Sequence, residues 1–310
     1  MNSNYGKTFQ ALIKREYWEH RGAMLITPLS IAAFFAVLML LGIFNNNVTF
    51  STNDFQINFF EHLPKMAEKF DNANFEEQTK IVHAGLYTPM IFFGFVMLVI
   101  SFFYTLGSLY DERKDRSILF WKSLPISDTS TVLSKFVAVC VLVPVLYFAV
   151  IVLFQLYILL FATVAAWFSG SSGISFWAAS NLLSVIFNTL MTLIVVSLWL
   201  APIWAWLMFA SSWAKKVAFI WGTLPILLIS IAEGYLFRSS NFIDMVGERI
   251  GNGFVILSYN TKILFDDHKF DIGTGNWYQT FGNMEFWIGL IVSAVFLAGA
   301  IYTRRHRDES

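Results

Sequence analysis

The stretch that decides the fold runs from Phe136 to Ala214 and contains no aspartate, glutamate, lysine or arginine. It begins with FVAVCVLVPVLYFAVIVLFQLYILLFATVAAWF at residues 136–168 and continues through SGSSGIS at residues 169–175. A bilayer core about 30 Å thick is crossed by roughly 20 apolar helical residues, so this stretch is too long for one span. The small polar residues at 169–175 predict a tight hairpin between two membrane helices.

Outward from that stretch, similar apolar runs predict six membrane helices. The chain is 56% apolar and 14% charged, whereas an average soluble domain is about 25% charged, so a soluble globular protein is excluded. We therefore predict an all-α membrane protein. Its spans are expected at residues 24–44, 84–110, 136–164, 177–210, 217–237 and 284–303. The first span is longer than the apolar part of a cleaved signal peptide, about 7–15 residues, so we expect it to remain.

The distribution of lysine and arginine between the connections predicts the orientation. With a cytoplasmic N-terminus, the inner segments hold 14 of the 21 basic residues and the outer segments hold the other 7. The positive-inside rule then places both termini in the cytoplasm, with a short tail at residues 304–310. The outer loops are expected at residues 45–83, 165–176 and 238–283.

The segment before the first span predicts an amphipathic helix. Phe9, Leu12, Ile13 and Tyr17 recur at helical spacing, and charged residues fill most of the positions between them. Such a helix, within residues 1–23, would lie in the cytoplasmic membrane interface. The alternative is an ordinary positively charged flank that only fixes the topology.

Two of the outer loops are longer than plain connectors need to be. Phe59, Leu63, Met66 and Phe70 follow a 4-3-4 spacing, which predicts an amphipathic helix over the outer membrane surface. The glycine-rich loop at 238–283 predicts an exoplasmic cap or short re-entrant helices. Neither loop contains a recognisable chemical motif.

The inner loop at residues 111–135 is the densest polar segment and reads DERKDRSILFWKSLPISDTSTVLSK. An exposed Phe120–Trp121 pair is unfavourable in a loop that only has to stay soluble. The pair is typical of a short amphipathic helix offered to a cytoplasmic partner, but it fits equally a pair that dips into the aromatic belt of the membrane. Ser127 or Asp128 is expected to cap the helix that leads into span three.

Neutral polar residues form two faces inside the spans. Ser101 and Thr105 share one face of span two, and Asn181, Ser184 and Asn188 share one face of span four. Two interpretations are open. The faces line a path for an amphiphilic substrate, or they form interhelical hydrogen bonds, which are worth about 0.6 kcal/mol on average in lipid.

Several chemical signatures are absent from the sequence. There is no G-x-x-x-x-G-K-[ST] motif, so the chain cannot bind nucleotide phosphates with a P-loop. The single cysteine, Cys140, excludes a disulfide framework, and the scattered histidines give no metal-ligand spacing. A net charge of zero gives no indication of nucleic-acid binding. Glu233 is a candidate substrate-path residue, because an acid inside a span is a functional candidate by default.

The inner loop resembles that of permease subunits of type-2 ATP-binding-cassette exporters. In that family, an acidic-basic cluster is followed by a Leu-Pro-hydrophobic-Ser turn and by a lysine before the next helix. Here these are Asp111–Lys114, Leu124–Ser127 and Lys135. Six spans with both ends inside, preceded by an amphipathic helix, also match the family. The long outer loop at 45–83 departs from it, since the larger insertion more often precedes the last span.

The resemblance implies a permease whose energy comes from a separate cytoplasmic ATPase. ATP and magnesium would be bound by that ATPase, and this chain would need no cofactor or metal of its own. Residues 111–135 would form the coupling loop. Its contacts with the ATPase are expected at Arg113, Lys114, Arg116, Phe120, Trp121, Leu124 and Pro125.

A second copy of the chain or a sister permease would complete the translocation path within the lipid of a bacterial inner membrane. The long outer loop leaves room for an exoplasmic accessory protein. The neutral, aromatic-rich spans favour an amphiphilic substrate such as a lipid, a peptide or a drug-like molecule. Two other classes stay open: a scaffold or immunity protein that transports nothing, and a membrane-embedded enzyme. The enzyme would need two facing catalytic groups, for which His83, Glu233 and Glu285 are the candidates.

Overall fold

The computed structural model describes residues 2–44, 49–52, 55–58, 68–168, 170–258 and 277–306. Nearly all of these residues are helical. Six helical segments are long and apolar enough to cross a membrane: Gly6–Leu41, Phe75–Lys114, Asp128–Phe168, Leu182–Trp199, Ala218–Phe237 and Met284–His306. The predicted helical, multi-pass architecture is therefore confirmed, and the orientation of the termini stays a prediction.

The elements follow one another as a series of helices with one short antiparallel hairpin. The first part of the chain contains α1 (Asn2–Arg21), α2 (Thr27–Phe44), β1 (Thr49–Thr52), β2 (Phe55–Asn58) and α3 (Phe75–Gly107). The middle part contains α4 (Tyr110–Lys114), α5 (Ser117–Ser123), α6 (Asp128–Val137), α7 (Val143–Phe168), α8 (Ile174–Ser180) and α9 (Leu182–Trp199). The last part contains α10 (Ala201–Trp213), α11 (Ala218–Phe237), α12 (Asn241–Ser258), α13 (Trp277–Gly282) and α14 (Met284–His306).

The predicted N-terminal amphipathic helix is α1, and it is almost continuous with the first span. A kink at His20 and a π-helical turn at Gly22–Ile26 join α1 to α2. The face of α1 that carries Leu12 and Glu16 is buried, with α1 packed against α6. One face of α1 therefore contacts protein, and its place in the membrane interface stays a prediction.

The segment predicted as the fourth span, residues 177–210, is divided into three helices. α8 ends at Ser180, and Asn181 adopts a left-handed conformation with φ 41°. α9 then runs to Trp199, and a second break precedes α10, which has Pro202 in its first turn. Proline lacks an amide hydrogen and its ring clashes with the carbonyl four residues earlier, so the helix must restart before it. The span-length helix is consequently Leu182–Trp199.

The outer segment at 238–283 contributes a long helix to the bundle. α12 packs against α3, α9 and α11, and the side chain of Leu257 lies against Gly94. A Cβ at Gly94 would lie 2.5 Å from Leu257 Cδ1, so the absence of a side chain permits this approach. Most of the helix predicted at residues 59–70, and all of 259–276, lie outside the described residues. Phe70 is described, and its ring stacks on Phe176 with centroids 4.2 Å apart.

Buried apolar residues of α3, α7, α9 and α10 form the core. Met90, Ile151 and Leu193 are fully buried there. The amide of Gln155, also buried, donates to Leu86 O at 3.0 Å and to Thr189 Oγ1 at 3.3 Å. Neighbouring helices therefore satisfy the NH2 group of this amide, while its oxygen, Oε1, is buried without a hydrogen-bond partner among the described residues.

Candidate functional site

Segments from distant parts of the chain meet at one end of the bundle, and each brings charged side chains. We call this set the charge network: Arg15, Glu16, Glu112, Asp128, Lys135 and Arg304. Two of its members belong to α1, one to α4, two to α6 and one to α14. The N-terminal helix, the 111–135 segment and the C-terminal helix therefore lie at the same end of the protein. Two candidate spans separate the N-terminal helix from the 111–135 segment, and four more separate that segment from the end of α14. Both numbers are even, which is consistent with all three segments lying at one end.

Glu112 is the centre of the charge network. Its Oε1 accepts a hydrogen bond from Arg15 Nη2 at 2.9 Å and lies 3.1 Å from Lys135 Nζ. Its Oε2 accepts from Arg304 Nη1 at 2.7 Å. One carboxylate thus joins three cations that come from three different helices.

Glu16 forms the second centre. Its Oε1 lies 2.6 Å from Arg15 Nη2 and 3.1 Å from Lys135 Nζ. Its Oε2 accepts a hydrogen bond from the Tyr104 hydroxyl at 2.9 Å. The side chains of Glu16 and Lys135 are 0% and 1% exposed, so their contact is shielded from water.

The six side chains of the charge network carry no net charge, and the half-exposed Glu19 adds an ion pair to Arg15 Nε at 3.6 Å from outside the set. Arg304 Nε donates to Asp128 Oδ1 at 3.0 Å, which brings the set to three carboxylates and three cations. Removing an ion from water costs several kcal/mol, and only close pairing with hydrogen bonds repays that cost. The balance of charges is therefore what allows these side chains to be buried.

Local sequence features position the 111–135 segment on the charge network. Arg116 adopts a left-handed conformation with φ 56°, which turns the chain between α4 and α5. Ser127 Oγ accepts a hydrogen bond from Ser130 N at 3.1 Å and so caps α6, as one of the two predicted capping residues. Trp121 lies under the guanidinium of Arg15, which is 4.2 Å from the ring centroid, so α5 is fastened to α1.

The predicted coupling residues fall into two groups. Lys114, Arg116, Phe120 and Pro125 are exposed, while Trp121 and Leu124 are half-buried. Leu119 lies beside Phe120, and their side chains are 58% and 60% exposed. We call these two residues the exposed apolar face of α5.

Arg113 has a different environment from the other predicted coupling residues. Its Nη2 donates to Ser211 O at 2.5 Å and to Ala214 O at 3.0 Å. The last carbonyls of a helix lack partners within the helix, and a guanidinium there satisfies them and interacts favourably with the helix dipole. Arg113 therefore fastens α4 to the end of α10, a contact that the sequence did not predict.

The charge network itself was not identified from the sequence. The sequence predicts that Arg304 begins a cytoplasmic tail; in the structure α14 continues to His306. Arg304 is buried because Glu112 and Asp128 hold it at the end of the bundle, and the membrane boundary itself stays a prediction. One sequence signal was present: Glu16 follows Leu12 by one helical turn and so interrupts the apolar stripe of α1.

The two polar faces predicted as a substrate path are both engaged in internal contacts. Ser101 and Thr105 are fully buried, and Thr105 Oγ1 donates to Ser101 O at 2.9 Å. Asn188 Oδ1 accepts from Trp277 Nε1 at 3.1 Å, and its Nδ2 donates to Ser184 Oγ at 3.3 Å. These hydrogen bonds satisfy Thr105 and Asn188, whereas Ser101 Oγ is buried without a hydrogen-bond partner in the described part of the chain.

The two predicted polar faces lie at different heights in the bundle: one is on α3, and the other is on α9, which packs against α3. Asn188 lies beside Tyr87 of α3, whereas Ser101 lies fourteen residues further along that helix, about 21 Å at 1.5 Å per residue. Asn181 is exposed at the break before α9. These residues therefore do not form one continuous face, and a contact of either group with substrate stays a prediction.

Glu233 and His83 also have defined partners. Glu233 Oε1 accepts from Ser239 Oγ at 2.7 Å and its Oε2 accepts from Phe242 N at 2.9 Å, so the carboxylate satisfies an amide of the first turn of α12. His83 Nε2 lies 3.0 Å from Ser180 O, which holds α3 against the end of α8. These contacts give no support to a facing pair of catalytic groups.

One group of side chains has the spacing of metal ligands. Atoms of Glu16, Glu19 and His20 lie within 4.8 Å of one another. Glu16 is already paired with Arg15 and Lys135, so we interpret the group as the edge of the charge network.

Similarity to known proteins gives no family assignment. The chain matches no protein-family model, no curated protein and no solved structure at a significant level. What is shown is an architecture: a multi-pass helical protein in which buried ion pairs join the N-terminal helix, the 111–135 segment and the C-terminal helix.

Proposed function

We propose that the chain is the membrane-spanning permease subunit of an ATP-binding-cassette exporter, coupled to a separate cytoplasmic ATPase. The observation that carries the proposal is the exposed apolar face of α5, at the end of the bundle where the charge network lies. Two large apolar side chains beside exposed Lys114 and Arg116 form a small apolar patch with a charged rim. That composition is typical of the centre of a protein–protein interface.

The contacts around α5 support a mechanical role for this segment. A partner that displaces α5 also displaces Trp121, which is stacked on Arg15, and Arg15 belongs to the charge network. The network extends to α6 and α14, and Arg113 adds a connection to α10. A movement imposed on one short helix is therefore transmitted to several spans through a continuous set of ion pairs.

The remaining parts of the proposal follow from the sequence. The chain has no P-loop, so ATP and magnesium would be bound by the ATPase. The distribution of basic residues favours cytoplasmic termini, which puts α5 on the side where that ATPase is found. A second copy or a sister permease would complete the translocation path in a bacterial inner membrane, and a lipid, peptide or drug-like amphiphile is the substrate class.

The test compares a variant of the exposed apolar face of α5 with a variant of an exposed phenylalanine on α3. The full chain, tagged and purified from its native membrane, should retain an ATPase that mass spectrometry identifies, and the complex should hydrolyse ATP. Leu119→Ala/Phe120→Ala should weaken that association by about tenfold or more, because truncating interface anchors costs about 2 kcal/mol or more. Phe103→Ala should not, since Phe103 is 62% exposed on a predicted membrane-facing surface of α3. Failure to recover any ATPase, or equal behaviour of the two variants, would contradict the proposal.

A further inference from the structure

A cavity of about 600 Å³ lies between α10, α11, α12 and α14. It is near the start of α14, whereas Arg304 of the charge network is near its end. The walls are almost entirely apolar and include the rings of Trp206, Phe242 and Phe296. Cavities of about 300–1,000 Å³ with such walls hold drug-sized molecules.

Among the described residues, Arg249 is the only cation in the cavity lining, and its charge is directed into the protein. Its Nε donates to Trp199 O and its Nη1 donates to Glu285 O, both at 2.9 Å. The guanidinium lies 4.0 Å from the centroid of the Trp199 ring. Its Nη2, which is buried without a hydrogen-bond partner among the described residues, packs against Gly289, where any side chain would collide with it. Burial lowers the pKa of Arg249, and the nearby Glu285 partly offsets that effect. The arginine therefore acts as a structural clamp between α9, α12 and α14.

Two carboxylates at the cavity form no ion pair within hydrogen-bonding distance in the part of the chain that the structure describes, although Glu285 interacts with Arg249 over a longer distance. Glu248 and Glu285 both line it and both are exposed. Over the described ranges, neither carboxylate has a basic side chain within ion-pair distance. Two carboxylates and one guanidinium give the lining a formal charge of −1, and the accessible part of that charge is negative.

We propose that this cavity binds a cationic amphiphile, a molecule with an apolar body and one positive charge. The body contacts the apolar walls of α10 and α11, and the positive charge lies beside Glu248 and Glu285. The aromatic rings add cation–π attraction. If the chain is the permease proposed above, this class of molecule is its candidate substrate. Binding itself needs neither an ATPase nor ATP.

The experiment uses two ions of almost the same size and shape and opposite charge, tetraphenylphosphonium and tetraphenylborate. Binding of each ion to the purified full chain in uncharged nanodiscs is measured by equilibrium dialysis, with empty nanodiscs subtracted. The phosphonium should bind saturably and about tenfold or more tightly than the borate, because only the cation gains from the carboxylates and the rings. Equal binding of the two ions, tighter binding of the borate, or no saturable binding of the phosphonium would overturn the proposal.

Matched substitutions locate the site. Val292→Trp fills the cavity from α14 and should reduce phosphonium binding about tenfold, whereas Val295→Trp, one turn away and outside the lining, should leave it unchanged. If the Val292 variant fails to fold, Ile229→Trp tests the opposite wall, with Ile231→Trp as its control. Equal binding by a lining variant and its control would overturn the location.

Removing the negative charge gives the second test. Glu248→Gln/Glu285→Gln should weaken phosphonium binding about three- to tenfold, with little effect on the borate, because exposed ion pairs contribute modestly. Glu77→Gln, an exposed acid at the start of α3, is the control and should change nothing. An unchanged preference for the cation in the double variant would contradict the role of the carboxylates. Since no ATPase is present, these results are independent of the coupling experiment.

Discussion

Replacing Glu112 by glutamine is expected to destabilise the protein by about 3–5 kcal/mol, the usual cost of leaving a buried charge without its partner. Glu112 is 5% exposed and has three cationic partners at 2.7–3.1 Å. The substitution keeps the shape of the side chain but leaves the charge network with two carboxylates and three cations. One positive charge then loses its partner in a largely buried site, where the nearest further carboxylate is the half-exposed Glu19, 3.6 Å from Arg15 Nε.

The magnitude follows from the distances. Two unit charges about 3 Å apart interact by about 5.5 kcal/mol at an effective dielectric constant of 20. Glu112 makes three such contacts, but repulsion among the cations and the cost of desolvating the carboxylate oppose them. The expected cost of the substitution is therefore far smaller than the sum of the three attractions.

The assay is reversible unfolding of the purified chain in mixed micelles with increasing denaturing detergent, followed by circular dichroism. Glu77→Gln, an exposed acid on α3, serves as the control and should change the free energy of unfolding by at most about 0.5 kcal/mol. The double variant Glu112→Gln/Arg304→Gln restores neutrality and should be more stable than the sum of the single effects by about 1–3 kcal/mol. Additive effects, or a Glu112→Gln cost below about 1 kcal/mol, would refute the interpretation of these residues as one coupled network.

Two further predictions concern topology and the role of α5. Cys140 is buried, so the unmodified chain should not react with a membrane-impermeant maleimide. Ser123→Cys should react only from the cytoplasmic side of sealed vesicles, and Ser172→Cys only from the outside. Reaction of both variants from the same side would contradict the predicted orientation. Trp121→Ala should lower the free energy of unfolding by about 0.5–2 kcal/mol, because the contact between its ring and the Arg15 guanidinium is lost. Phe120→Ala should leave the free energy of unfolding nearly unchanged in the same micelle assay, because its side chain is exposed. Equal costs would contradict the division of these residues into a structural one and a docking one.

The helical spans were predictable because they depend on local properties. A run of about 20 apolar residues is visible in any window of the sequence, and the hairpin after α7 is marked by small residues such as Gly170 and Gly173, both with positive φ. The cap at Ser127 is equally local, since its partner is three residues away. Features that depend on residues close together in the sequence can be predicted without knowing the tertiary structure.

The charge network could not be predicted in the same way. Lys135 and Glu16 are separated by 119 positions, and Arg304 and Glu112 by 192. Each of these charges lies next to an apolar run, where it has the same pattern as a residue that only orients a span. The contact between α12 and α3 is hidden for a related reason: it depends on Gly94 facing Leu257 across the bundle.

The break before Pro202 divides the segment predicted as the fourth span into α9 and α10, which meet without a continuous helical backbone. The carbonyl of Trp199, which a continuous helix would pair with an amide, accepts its hydrogen bond from Arg249 on another helix. The Trp204 indole in turn donates to Ser197 O at 3.2 Å and so holds α10 to α9 across the break. α10 packs along α14 and receives the Arg113 contact, whereas α9 packs against α7, so the two sides of the break are supported by different helices.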